Sequence, residues 1–454
     1  MKTTLRSIAL IALSAFALGA NAAPGSANVP GRDAIQSRTL GNGLKVVVWP
    51  DHDIPNVALY TWFRVGGRNE YPGITGIAHY FEHMMFNGTS KLAPGEFDRI
   101  MEGAGGSNNA YTSSDVTVYQ DWFPNDALQV VLELEADRMA NLDFDPEVVE
   151  SERGVVYSER RTSVEDNPEG VLMEQMQATA FVAHPYQFPV IGWPSDIENW
   201  SLEDLKTFYK TYYAPNNATM FVVGAVDAED VFSRVEKLFG AIPQQPAPRK
   251  VTTVEPPQRG ERRIVVEKED LSAPLIQMAW HVGSASDADA WPLELLVSAM
   301  ADGDASRLHQ RLVERDALVL SVDMYRDPGF DPGLVWLMAQ LPPGGNLDAV
   351  EKAIDEELAR LAAEGLSVKE LAKARKINEV RYWRSLQTIS GKAQALGTFE
   401  VFHGDYAKLF GAPEQAAMVT NDAIKSVASA TFRKENRTVG RLIPAAKTSN
   451  EAKE

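Results

Sequence analysis

The sequence predicts an α+β protein of two similar, duplicated domains, each a mostly antiparallel sheet packed with helices. Three observations carry that prediction. Strand patterns come early in each half of the chain and helix patterns follow. A proline-rich polar stretch divides the chain near its middle. The two sides of that stretch echo each other at an offset of 219 residues, far longer than any solenoid period, so two related domains are expected rather than a repeat array. A chain of 454 residues is also long enough for two separate cores.

Taken in order, the chain begins with a segment outside the fold. Lys2 and Arg6 precede an apolar run from Ser7 to Gly19, followed by Ala20-Asn21-Ala22. This is the layout of a secretory signal peptide over residues 1–22, cut after Ala22. The run is too short to span a bilayer, and no later run approaches 18 apolar residues. The expectation is a periplasmic or secreted protein without a membrane anchor.

The first domain is placed at residues 23–240. Leu44 to Trp49 and Val57 to Val65 read as strands, residues 75–86 and Asn125 to Ala140 as helices. Asp145-Pro146-Glu147 reads as a helix start, with Asp145 as cap and Pro146 in the first turn. That helix runs through VVESERGVVYSERR, and a further helix from Glu229 to Phe239 closes the domain. Residues 241–262 are rich in proline and polar side chains and read as a linker. The second domain, 263–446, opens with strands at Arg263 to Val266 and Leu275 to Val282 and carries a helix from Leu347 to Ala363. Residues 447–454 form a polar tail. The echo is clearest between LKTFYKTYYAPNNAT and IKSVASATFRKENRT: Leu205 matches Ile424, Tyr213 matches Phe432, Asn217 matches Asn436 and Thr219 matches Thr438. PNVALYTWFRVG is echoed more loosely by APLIQMAWHVG.

Composition narrows the function. The apolar fraction of 44% and charged fraction of 23% are those of a globular protein. There is no cysteine, which excludes a disulfide scaffold, a thiol nucleophile and a thiolate metal site. The formal charge is −18, and −20 once Lys2 and Arg6 are removed. Nucleic acid is therefore not an expected partner, whereas cationic peptides would be attracted.

The chemistry is concentrated in TGIAHYFEHMMF. On a helix, His79 and His83 lie about 6 Å apart along the axis and on one face, where two imidazoles hold one tetrahedral zinc ion. Glu82 projects beside the pair and is placed to take a proton from zinc-bound water. The order His-x-x-Glu-His is the inverted form of the His-Glu-x-x-His zinc helix. A third ligand is needed, and without cysteine a carboxylate is the obvious candidate. Glu152 and Glu159 are two turns apart on one helix face; either could bind, with the other steadying the site.

At this point the chain resembles the pitrilysin and mitochondrial processing peptidase family of inverted zinc peptidases. HYFEHMMFNGT, GGSNNAYTSSDVTVY, ESERGVVYSERR, HPYQFPVIGW and, after the linker, GDASRLHQRLVE carry the likeness over nearly the whole mature chain. The resemblance implies a zinc endopeptidase with one zinc ion per chain, held by His79, His83 and Glu159. It makes Glu82 the general base and Glu152 an accessory catalytic residue. It also implies a clamshell-like arrangement around an acidic chamber, in which an extended peptide adds as a strand along Asn109, Ala110 and Tyr111. His184 matches the family too and is read as a loop-ordering residue.

One departure stands out. The resemblance implies an arginine and, seven residues on, a tyrosine that stabilise charge developing on the substrate carbonyl. Val313 and Leu320 occupy those positions, and neither donates a hydrogen bond. Either Arg311, Arg315 or Tyr325 substitutes, or a homologous second subunit supplies the pair. The second reading makes this chain the zinc-bearing subunit of a heterodimer acting on extended or unfolded peptides. The competing function is a non-catalytic peptide-binding or assembly subunit with a structural metal site.

Overall fold

The structure is a computed structural model and describes residues 29–445 apart from Asp270. The expected signal peptide and polar tail lie outside the described residues. Among the described residues, eleven strands form two sheets. The first contains β1 (Gln36–Thr39), β2 (Lys45–Pro50), β3 (Asn56–Phe63), β4 (Ser107–Thr112), β5 (Thr117–Pro124) and β6 (Ala218–Gly224), in the order β1-β2-β6-β3-β5-β4. The second contains β7 (Arg262–Lys268), β8 (Leu275–Val282), β9 (Ser321–Arg326), β10 (Gly333–Gln340) and β11 (Arg437–Pro444), in the order β7-β11-β8-β10-β9. Only β2–β6 and β7–β11 are parallel pairs; the remaining pairs are antiparallel. Leaving out β1, the two sheets have the same strand order and the same directions, so the duplication is visible in topology. The expected strands lie within two residues of β2, β3, β7 and β8.

Among the described residues, fourteen α-helices surround the sheets. In the first half they are α1 (Ile77–Met84), α2 (Glu96–Gly103), α3 (Leu128–Asn141), α4 (Pro146–Arg160), α5 (Pro168–Ala180), α6 (Pro194–Asn199), α7 (Leu202–Tyr212) and α8 (Ala228–Phe239). In the second they are α9 (Ala290–Ala301), α10 (Leu347–Glu364), α11 (Val368–Ser385), α12 (Ile389–His403), α13 (Ala412–Met418) and α14 (Asn421–Thr431). The cap expected at Asp145 forms: its carboxylate accepts the N–H groups of Glu147 and Val148, with Pro146 in the first turn. The helix expected from Asn125 starts three residues later, behind a single 3₁₀ turn over Asn125–Ala127.

One face of each sheet is covered by helices of its own half. In the first, α1, α3, α7 and α8 bury Val46, Val48, Leu59 and Val222 in one large core. The other faces are covered by exchange. Helix α5 crosses to the second sheet, where Leu172, Met176 and Ala180 pack against Leu275, Ala279, Trp336 and Leu442. Helix α12 crosses to the first, where Ile389, Ala393 and Leu396 pack against Val47, Ala58, Trp62 and Phe221. The crossing is close: a β-carbon on Gly397 of α12 would lie 2.2 Å from the Trp62 ring, so this contact needs glycine.

Polar contacts fix the exchanged helices. Arg262 of β7 donates to the last carbonyls of α5, at Thr179 (2.8 Å) and Ala180 (2.5 Å), satisfying groups that a helix end leaves open. The linker contributes Glu255, whose carboxylate accepts the N–H groups of Val182, Ala183 and His184, each at 2.9 Å. His184 caps the turn Pro185–Gln187 and meets Asp331 of the second half at 3.1 Å. Asp331 also pairs with Arg68, and Arg68 with Asp115 at 3.2 Å. The two sequence halves therefore interlock, each finishing the other's core.

Candidate metal centre

The site is built on α1, a helix of barely two turns held from several sides. Gly76, just before it, takes φ of 85°, and a β-carbon there would lie 2.5 Å from the Ile191 carbonyl. Only glycine lets the chain around residues 191–192 sit against the helix start. The carboxylate of Glu70, 3% exposed, accepts the N–H groups of Gly76 (2.7 Å) and Ala78 (2.8 Å). Burial pushes that carboxyl upward, and the two N–H groups pull it down. Further along, Tyr213 and Tyr119 donate to the carbonyls of Ala78 (3.3 Å) and Phe81 (3.0 Å). Tyr80 donates from α1 to the Val149 carbonyl of α4 at 2.8 Å. These bonds fix α1 on the first sheet and set its distance from α4.

His79 and His83 leave the same face of α1, their ring centroids 4.8 Å apart. Glu159, in the last turn of α4, places Oε2 3.7 Å from His79 Nε2 and 3.3 Å from His83 Nε2. The three ligand atoms lie within 4.8 Å of one another, the one such cluster of metal-ligating side chains among the described residues. Zinc bonds of about 2.0–2.2 Å put neighbouring tetrahedral ligands about 3.3–3.6 Å apart. The two edges to Glu159 match that spacing closely. The donor set, two imidazole nitrogens and one carboxylate, is one that zinc takes in open, catalytic sites.

The geometry separates the two glutamates that helix spacing alone leaves open. Glu159 faces Nε2 of both imidazoles. Glu152 instead meets His83 Nδ1 at 2.7 Å, the contact that fixes a ligand histidine's tautomer and ring orientation; its carboxylate is also bonded by the Asn87 side chain. Burial alone would lower His83, but Glu152 and Glu159 outweigh it and hold the imidazole up at about 9. Burial dominates at His79 and takes it down to about 4. The His83 bond holds Glu159 below the usual carboxylate range. Without metal, the cradle thus favours the imidazolium form of His83, with one ring N–H toward each carboxylate, and a metal at Nε2 would displace the proton there.

Glu82 sits next to His83 without joining the triad. Its Oε2 accepts a 2.7 Å bond from the Thr112 hydroxyl at the end of β4. Burial pushes its carboxyl upward against the pull of Thr112 and His83. Strand β4 ends the sheet order and pairs with β5 alone among the described residues, so its outer edge is unpaired beside α1. Alternation along β4 turns Asn108, Ala110 and Thr112 toward the helices: Asn108 bonds Asp98 of α2 at 2.8 Å, and Ala110 packs on the first core. Tyr111 points the other way. Its ring meets Trp62 edge-on at 6.3 Å, and its hydroxyl accepts from Gln394 of α12 at 3.0 Å. The Tyr111 side chain is therefore held at the α12 interface, while Asn109 is exposed. Thr112, Asn87 and Glu70 went unread in the sequence. Thr112 was within reach, because strand alternation puts it on the α1 side with Ala110.

The residues considered as local substitutes for Val313 and Leu320 are engaged elsewhere. Arg311 pairs with Asp316 (2.6 Å) and with Glu356 of α10 (3.0 Å). Arg315 lies 3.1 Å from Asp316, and Tyr325 stacks on Trp336. Val313 packs against the second core, and Leu320 is 57% exposed. The 219-residue offset carries His79, Glu82, His83 and Glu159 onto Ser298, Ala301, Asp302 and Asn378, so the second half does not repeat the ligand set.

A duplicated α+β frame carries two imidazoles and a carboxylate that could hold a metal ion, with Glu82 outside that set, and the similar proteins support the class of metallopeptidases. Residues 45–192 match the family model described as insulinase (peptidase family M16), and residues 199–378 match the one described as peptidase M16 inactive domain. The chain is 34% identical over 347 residues to the zinc protease PqqE of Helicobacter pylori, covering 76% of this chain and 78% of that one. It is 26% identical over 402 residues to the uncharacterized zinc protease YmxG of Bacillus subtilis, covering 88% and 96%. Among solved structures, a protease from Helicobacter pylori superposes with a TM-score of 0.87 at 30% identity, over 90% of this chain and 99% of that one. The periplasmic protease PqqL of Escherichia coli shares the fold, with a TM-score of 0.76 at 18% identity; the match covers 91% of this chain and 48% of PqqL. The chain belongs to peptidase family M16, the pitrilysin family. No helix among the described residues is long and apolar enough to cross a membrane.

Proposed function

We propose that this chain is a zinc-dependent endopeptidase for extended or unfolded peptides, with one zinc ion held by His79, His83 and Glu159. The observation that carries the reading is the convergence of those three donor atoms within 4.8 Å, with both contacts to Glu159 at zinc-like spacing and Glu82 fixed beside them by Thr112. Zinc supplies Lewis acidity: it lowers the pKa of water and polarises a carbonyl. Glu82 takes the proton of the attacking water and returns it to the leaving amine. Glu152 holds His83 in the tautomer that leaves Nε2 free. The unpaired edge of β4 accepts the substrate backbone as an added strand, which reads main chain more than side chain.

Val313 and Leu320 leave the chain without its own donors for the developing oxyanion, and Arg311 and Arg315 are bound to carboxylates of the second half. A homologous second subunit that brings an arginine and a tyrosine accounts for this, and the zinc-bearing chain is then slow alone. The amino-terminal segment supports export to the periplasm or the medium, the compartment in which PqqL is described. The test is peptide digestion by the purified chain, alone and with proteins that co-purify from its native extract. Activity should be abolished by chelator, restored by zinc and raised by the companion. In the Glu82→Gln variant zinc content should stay at wild type while turnover falls by about 10²–10⁴-fold. Wild-type turnover in that variant overturns the base assignment, and equal rates with and without companion overturn the heterodimer.

A further inference from the structure

A cavity of about 740 Å³ lies in the second half between α9, α11, α12 and α13, lined by none of the metal-centre residues. Its volume falls in the range of small-molecule sites, about 300–1,000 Å³. Its walls are mainly apolar, with Trp291, Phe399 and Leu409 among them. The charges that line it are left without one another. Glu294 of α9 has no hydrogen bond and no ion pair among the described residues. Arg326, the last residue of β9, uses Nη2 on the carbonyls of Gly283 (3.1 Å) and Ser284 (2.6 Å), while its Nε is buried without a partner. Arg375 of α11 does the same: Nη2 meets the Val419 carbonyl at 2.5 Å and Nε is buried unpaired. Glu414 of α13 adds one buried carboxylate oxygen without a partner. By contrast, two other charged lining residues are paired, Arg381 with Asp302 at 2.7 Å and Glu379 with Lys376 at 3.0 Å.

Glu294 is half-buried, and charge set against apolar walls without a partner is costly. Burial pushes the Glu294 carboxyl upward, and Arg326 is the largest counter-charge it feels, yet the two do not come within ion-pair distance. Two carboxylates, Glu294 and Glu414, and two guanidiniums, Arg326 and Arg375, line one largely apolar cavity, which matches a ligand that carries both signs of charge on an apolar body. The volume exceeds what a single amino acid fills.

We propose that this cavity binds a short apolar peptide with both termini free, its ammonium at Glu294, its carboxylate at Arg326 and Arg375, and its side chains against Trp291 and Phe399. The inference does not rest on the peptidase reading, because binding is measured on zinc-free protein.

The test is calorimetric titration of the zinc-free chain with trileucine, N-acetyl-trileucine and trileucine amide. Free trileucine should bind, and each blocked form should bind at least about tenfold more weakly, as expected for loss of one desolvated charge contact. Glu294→Gln should lower the affinity for trileucine to that of the acetylated form and leave the acetylated form unaffected. Arg326→Met should do the same for the amide; should that variant fail to fold, Glu294→Gln decides alone. Absence of trileucine binding, equal affinity for free and blocked peptides, or wild-type affinity in Glu294→Gln would each overturn the proposal.

Discussion

At the scale of single residues, the proposed site keeps apart the side chains that would hold a metal and the one that would move a proton. His79, His83 and Glu159 converge, while Glu82 is turned aside and tied to Thr112. That tie has a consequence of its own. Thr112→Val keeps the shape of the side chain but leaves the Glu82 carboxylate without its hydroxyl donor. A hydrogen bond to a charged group is worth about 1.5–3 kcal/mol, so turnover should fall by about tenfold or more with zinc content unchanged, measured by steady-state kinetics beside metal analysis. Unaltered turnover would show that Thr112 does not position the base. The ligand histidines and Glu82 were legible in the sequence because five consecutive residues carry them. Choosing Glu159 over Glu152 was beyond helix spacing, because residues seven apart share a face and only the approach of α4 to α1 decides which imidazole nitrogen each one meets.

At the scale of elements, α1 is too short to be stable by propensity and depends on what surrounds it. Gly76 is its most constrained neighbour, with φ of 85° and the Ile191 carbonyl where a β-carbon would stand. Gly76→Ala should cost about 1–3 kcal/mol through strain and overpacking, seen as a lower thermal midpoint, and should weaken zinc retention because the helix start carries His79. A variant with wild-type melting and zinc affinity would contradict that account. The Asp145-Pro146 helix start was legible because both signals are local. Glu70 as a cap was not: it sits six residues before the first N–H it accepts, across a turn whose path the sequence does not state.

At the scale of the molecule, the halves are joined by exchange, with α5 on the second sheet and α12 on the first. The duplication was visible in the sequence; the exchange was not, since an apolar helix face does not name the sheet it will cover. The second half also holds an ionic network around Glu351, which meets Arg263, Arg437 (3.2 Å) and Arg441. Burial would raise Glu351, but those arginines outweigh it and hold it at about 2, below its ordinary 4.5. A depressed carboxyl contributes stability that is present above its unfolded pKa and lost as pH falls toward the folded one. Urea midpoints should therefore drop between pH 4.5 and 2, and Glu351→Gln should flatten that part of the profile while lowering the neutral plateau. An unchanged profile would remove the network from the acid limb.

The most direct test of the whole account is a zinc-edge anomalous map from crystals of the zinc-loaded chain. The account predicts one peak per chain, about 2.0–2.2 Å from Nε2 of His79, Nε2 of His83 and a carboxylate oxygen of Glu159, with no fourth protein ligand. A peak elsewhere, or a fourth side chain closing the coordination sphere, would contradict it.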